Sequence, residues 1–217
     1  MTKAVRIAAV LTLAVTLSGC STLYYSSMKK LGKEKRDILV SRIEDGKQAQ
    51  QDASKQVKTA YEAFKELTNF QGGDLEKVQK SLSKEFDDVE DRANKVTDRI
   101  ASIDKVGQDL FTEWSGEIDQ MSNGAMKNDS RKLLKETRDR HLKLMKQMKS
   151  SEAKLKPVVQ AFRDQVLYLK HNLIARAINS LKKTVIEIDD DIAALVKDID
   201  ASNAEADRAI AGLKADS

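Results

Sequence analysis

Residues 39–75 read LVSRIEDGKQAQQDASKQVKTAYEAFKELTNFQGGDL. A seam runs through Leu39, Ile43, Gly46, Gln50, Ala53, Val57, Ala60, Phe64 and Leu67, with steps that alternate strictly between four and three. That spacing keeps one stripe of a helix facing a partner. The stripe is weak in the middle, at Gly46 and Gln50, and strong at its end, at Phe64 and Leu67. Asn69-Phe70-Gln71-Gly72-Gly73-Asp74 then stops it: paired glycines end a helix, and Asp74 is a ready N-cap for the next one. A seam, a tight turn and a second seam make an antiparallel helical hairpin.

The second seam carries Leu75, Val78, Leu82, Phe86, Val89, Ala93, Val96, Ile100, Ile103, Gly107, Leu110, Trp114, Ile118 and Met121. Extra four-residue steps at Leu82–Phe86 and Trp114–Ile118 would locally unwind a supercoil. Such a hairpin would be roughly 60 Å long at 1.5 Å per residue. Asn123-Gly124 and Asn128-Asp129-Ser130 mark the second turn, with Asp129 or Ser130 expected as the cap. A third seam follows through Leu134, Thr137, His141, Leu144, Met148, Ser151, Leu155, Val158 and Phe162. Pro157 predicts a kink or a fresh helix start. Between Val158 and Leu181 the apolar face widens to take in Val159, Ala161, Val166, Leu167, Tyr168, Leu169, Leu173, Ile174, Ala177 and Ile178, which predicts burial on most sides. The narrower seam resumes through Val185, Ile188, Ile192, Leu195, Ile199, Ser202 and Ala206. With a single proline, nine glycines and a third of residues charged, the expected fold is all-α. Long antiparallel hairpins would form a coiled-coil-rich bundle of three to four helices, over about 28–69, 74–122, 129–170 and 172–213.

Charge bears on how the last helices lie. Lys127–Lys156 holds eleven Lys/Arg against four Asp/Glu, a net of +7, and Ile186–Ser217 holds nine acidic against three basic residues, a net of −6. The midpoints of the two segments are symmetric about residues 171–172. Folding the chain back there would lay basic against acidic, and so would an antiparallel homodimer of unbroken helices with its axis near His171. Exposed pairs contribute a few tenths of a kcal/mol each, so they choose register rather than supply stability.

The start of the chain speaks of location. Thr2-Lys3 and Arg6 precede an almost unbroken apolar run from Ile7 to Leu17, closed by Leu17-Ser18-Gly19-Cys20. The run is about a dozen residues, against the ~20 that span a bilayer. It reads as a signal peptide over 1–19. The last four residues resemble a bacterial lipobox, which implies lipidation of Cys20, a tether over 20–27 and a helical domain over 28–217. Ser21 is not the aspartate that retains such proteins at the inner membrane, so the expected place is the periplasmic face of the outer membrane. An ordinary secreted protein with a chance cysteine is the alternative. Loss of Lys3 and Arg6 lowers the formal charge from +4 to +2, and with the secretory route this argues against nucleic acid as a partner. One cysteine permits no disulfide framework and no thiolate metal site.

No catalytic constellation is visible. Asp189-Asp190-Asp191, with Glu187 nearby, sits on a helix where only Glu187 and Asp191 share a face, and no glycine bends a calcium-type loop, so a solvated face is expected rather than a metal site. His141 and His171 are thirty residues apart, outside any zinc-type spacing. No serine sits in a nucleophile elbow, and neither Gly32-Lys33 nor Gly46-Lys47 belongs to a phosphate loop. No cofactor is implied. Candidate partner-binding residues are the basic stripe Arg131, Lys135, Arg138, Lys146 and Lys149, and the polar interruption His171, Asn172 and Arg176. The stripe fits either anionic lipid or cell-wall polymer, or an acidic helix of the same protein. The polar interruption fits either a satisfied pocket or a specificity patch.

Three stretches carry a family resemblance: Lys30-Leu31-Gly32-Lys33-Glu34-Lys35-Arg36-Asp37-Ile38-Leu39-Val40, Thr68-Asn69-Phe70-Gln71-Gly72-Gly73-Asp74-Leu75, and residues 161–173, AFRDQVLYLKHNL. They resemble a family of gammaproteobacterial lipoproteins, a domain of unknown function numbered 2959, over about Met28 to Leu213. The resemblance implies a helical envelope lipoprotein and brings no activity or binding residue with it. The expected role is non-catalytic scaffolding or partner binding, with another envelope protein or a second copy as partner and the membrane reached through the lipid. Direct binding of lipid or polymer is the first alternative, and an enzyme with an unrecognised site is a distant one.

Overall fold

A computed structural model describes residues 35–69, 74–171 and 175–215; the side chains of 172–187 lie outside the description. The signal segment, Cys20, the tether and the expected helix start near Met28 therefore fall outside the described residues. Four helices make up the fold: α1 (Lys35–Thr68), α2 (Leu75–Gln120), α3 (Gly124–His171) and α4 (Ala175–Ala215). Each packs on its neighbours in chain order, and α4 closes the ring on α1. The result is an up-down-up-down antiparallel bundle, with no strand among the described residues.

The seams supply the core. All nine seam positions of α1 from Leu39 to Leu67 are buried, as are the nine of α3 from Leu134 to Phe162. In α4, Ile188, Ile192, Leu195, Ile199, Ser202 and Ala206 are buried. Along α2 the ends Leu75, Val78 and Met121 are half-buried, and so are Ala93 and Trp114. Because each helix has two neighbours, the buried stripe is wider than a two-stranded seam and also takes in Ile38, Tyr61, Val106, Phe111 and Met145.

Asp74 caps α2 by accepting from the Lys77 amide at 3.0 Å. The second turn differs from expectation. Asn123 is the cap of α3, its Oδ1 accepting from the Ala125 and Met126 amides at 3.0 and 3.2 Å, so α3 starts five residues before Asp129. Ser130 instead accepts a hydrogen bond from the Trp114 indole at 3.0 Å. Pro157 starts no new helix; α3 runs through it. Pro157 and Ala153, whose carbonyl loses its i+4 partner, both face solvent, where water can serve that carbonyl.

The chain folds back after His171, as one of the two charge arrangements required. Lys154 meets Asp198 at 2.8 Å and Lys143 meets Glu205 at 3.1 Å. The midpoints of these pairs are 176 and 174, a few residues beyond the charge-derived centre. Burial on most sides does not hold for the described part of the wide apolar segment, residues 158–171. Leu167 and Tyr168 are 51% and 43% exposed, because they stand off the stripe formed by Val166 and Leu169.

Candidate functional site

α3 positions the basic stripe, and the bundle divides it between neighbours. Arg131 lies 3.5 Å from Asp119 and Lys149 lies 2.9 Å from Asp104, both on α2. Arg138 stacks its guanidinium 5.4 Å from the centroid of Phe111, also on α2. Lys135 pairs along its own helix with Asp139 at 2.9 Å, which raises the lysine pKa. The expected match of this stripe to the acidic last helix is therefore corrected: α4 is met by Lys143, Ser150 and Lys154, one face further round. Linear charge totals cannot say which side of a helix faces which neighbour. Lys146 has no ion-pair partner among the described residues, and Leu142, one turn before it, is 59% exposed.

His171 is exposed at the end of α3, while the side chains of Asn172 and Arg176 lie outside the description. In the acidic run, Asp189 accepts a hydrogen bond from the Tyr61 hydroxyl; burial first, and that carboxylate second, push the phenol up to about 12. Asp190 and Asp191 are exposed, and among the described residues no group of three His, Cys, Asp or Glu is placed to hold a metal ion.

Two open grooves lie between helices. One, of about 530 Å³, runs between α1 and α4, with Ile192 and Val196 among its lining and Tyr61 beneath the Lys65 ammonium, 4.7 Å from the ring centroid. The other, of about 220 Å³, lies between α2 and α3 beside Ala93, with the Glu90–Arg163 ion pair at one end and Thr97 donating to Glu152 at 2.9 Å at the other.

Among the polar side chains buried in the bundle, two sites stand out. Gln50, Ser151 and Ser202, all buried, join three helices: Gln50 Nε2 donates to Ser151 Oγ at 2.6 Å, and Ser202 Oγ donates to Gln50 Oε1 at 2.8 Å. The Ser151 hydroxyl in turn donates to the Met148 carbonyl at 2.8 Å. Gly46, one turn away, leaves room for Ile103, so the weak middle of the α1 seam is where side-chain polarity and close packing replace apolar bulk. The second site is His141, which the sequence places on the α3 seam with no role. Its ring is 6% exposed, lies edge-on to Phe111 at 5.2 Å, and rests against Gly107.

At the other end of the bundle from His171, the starts of α1 and α3 meet the end of α2. Lys35 pairs with Glu113 at 2.8 Å, and the Arg36 guanidinium lies 5.1 Å from the centroid of Trp114. No described helix is long and apolar enough to cross a membrane. No curated protein and no solved structure matches the chain. A family model described as "Protein of unknown function (DUF2959)" matches residues 24–213.

Proposed function

The chain belongs to this family of unknown function, and from that premise we propose that it is a non-catalytic, lipid-anchored envelope protein that binds a protein partner through the solvent face of α3. The observation that carries the reading is the centre of that face, where exposed Leu142 stands between Lys135, which pairs only along its own helix, and Lys146, which has no ion-pair partner among the described residues. An exposed apolar side chain with the uncommitted Lys146 one turn on, on a face of strong net positive charge, suits an acidic surface with an apolar contact at its middle.

Leu17-Ser18-Gly19-Cys20 supplies the anchor in this proposal, and Ser21, which is not the aspartate that retains such proteins at the inner membrane, supports a place on the periplasmic face of the outer membrane. The tether then joins the end of the bundle that carries Trp114. α2 is 46 residues long, so the opposite end stands roughly 70 Å away at 1.5 Å per residue. A rigid spacer of that reach suits a scaffold better than a pocket-bearing enzyme.

The test is photo-crosslinking from Lys135, Leu142 and Lys146 in the lipidated protein in cells. Capture of one distinct protein at all three positions supports the proposal. Self-crosslinks alone, or none, would sink it. The strong net charge of 127–156 favours a second reading, in which the same face binds anionic lipid or cell-wall polymer. Salt-sensitive binding to isolated envelope material, without protein crosslinks, would put that reading first.

A further inference from the structure

His141 is a core residue of α3 that can change its charge near neutral pH. Neither ring nitrogen has a hydrogen-bond partner among the described residues. The ring lies in a cradle made by α2. A Cβ at Gly107 would stand 2.5 Å from Nε2, and Phe111 closes the cradle with its ring inclined 73° to the imidazole. Glycine in a helix interior costs about 1 kcal/mol relative to alanine, so the cradle itself is made at a cost to α2.

The charges around the ring offer no ready counter-ion. Asp104 on α2 and Lys149 on α3 act on it with opposite sign, and they are paired with each other at 2.9 Å. Arg138, one turn before His141, is stacked on Phe111. Further off, the α1 groups Glu44, Asp45 and Lys47 are engaged by Lys214, Arg99 and Asp207. On α4, Glu205 is engaged by Lys143 and Arg208.

We infer that His141 is an acid-responsive switch in the bundle: a proton taken from solvent onto its buried ring drives the imidazolium out of the Gly107–Phe111 cradle and loosens α3 from α2. The charged ring carries two N–H donors with no acceptor, and a buried cation without a partner is expelled rather than tolerated. Its nearest relief is Asp104, and to reach that carboxylate the ring must leave the cradle and compete with Lys149.

Burial holds the imidazole below its ordinary range, with Asp104 working against that shift and Lys149 adding to it. The folded state therefore binds fewer protons than the unfolded one, whose histidine titrates near ~6.5. The stability held in neutral His141 is fully present above that value. It is lost as pH falls from there through the folded-state value. The inference goes beyond the proposed partner binding and does not depend on it.

The chain has two histidines, so His171→Gln leaves His141 as the only imidazole to follow by NMR. In that variant the ring should stay neutral at pH 6.5. The folding equilibrium constant should fall between pH 7.5 and 5.0, a fall that His141→Gln in the same background removes. Hydrogen exchange at the two pH values, corrected for the intrinsic rate, should show the loss of protection centred on 104–111 and 138–145. A ring that titrates at or above the free-imidazole value overturns the inference, and so does an unchanged pH profile in His141→Gln. If His141→Gln does not fold, the ring titration and the exchange pattern decide alone, and exchange that spreads evenly over the bundle counts against the switch.

Discussion

The Gln50–Ser151–Ser202 layer and the His141 cradle are two polar breaks in one apolar core, and they are built on opposite terms. In the first, the amide of Gln50 and both hydroxyls are hydrogen-bonded to one another or to the backbone. In the second, a polar ring is packed by shape alone, against a glycine and an aromatic edge. A satisfied network in a low-dielectric interior fixes how helices align and stays indifferent to pH. An unsatisfied titratable ring fixes nothing once its charge changes. The bundle thus carries its register and its sensitivity to acid at separate levels.

The largest effect should come from breaking the satisfied layer on one side. Gln50→Ala leaves a cavity and strips both serines of their amide partner, and we expect a loss of about 3 kcal/mol in urea unfolding at pH 7.5. A loss under about 1 kcal/mol would mean that the layer is not held by this amide. The two buried glycines give the next contrast. At Gly107 an added methyl meets three atoms of a rigid ring; at Gly46 it meets the far end of Ile103, with Cδ1 at 2.6 Å. Gly107→Ala should cost about 2 kcal/mol net of its helix-propensity gain, whereas Gly46→Ala should fall within about 1 kcal/mol of the parent. Equal costs would remove the claim that the histidine ring fills a fitted cradle.

Much of this was legible in the sequence, and unevenly. Steps of three and four identify Leu39–Leu67 and Leu134–Phe162 residue by residue because burial on a helix is set by period alone. Asp74 announces its cap because the glycines before it end the first helix without ambiguity. Asn123 was obscured by Asn128-Asp129-Ser130, a run equally suited to capping; what separates them is that Trp114 claims Ser130 across the turn, a contact far apart in sequence. The partners of the basic stripe were hidden for a related reason. Arg131 and Lys149 differ from Lys143 and Lys154 only by which flank of α3 they occupy, and flanks acquire neighbours only when four helices close a ring. His141 was visible as a seam position. Its significance needed Gly107 opposite it, a pairing between two seams that no single seam discloses.

The same contrast predicts what happens when the layer is removed as a whole. Gln50→Leu with Ser151→Ala and Ser202→Ala replaces every partner at once, so no donor is stranded. Stability should be unchanged or raised by about 1 kcal/mol, while side-chain NMR signals of the core broaden as the helices lose a fixed register. Sharp signals with unchanged stability would show that shape, and not the network, aligns the helices.

The smallest effect separates the acid response of the surface from that of the core. Lys154 hydrogen-bonds Asp198 and, more than the burial that opposes it, holds that carboxyl below the usual carboxylate range, with Ser150 assisting. A depressed carboxyl binds fewer protons folded than unfolded, so its contribution is present above the unfolded value of ~3.9 and is lost as pH falls through the folded one. Lys154→Ala should cost about 0.5 kcal/mol at pH 7.5, as befits a half-exposed cation. The gap between variant and parent should persist unchanged at pH 5, where His141 already responds, and close only well below pH 4. If the gap closes between pH 7 and 5 instead, the α3–α4 ion pairs and the His141 cradle titrate together, and the bundle has one acid response where the two polar levels call for two.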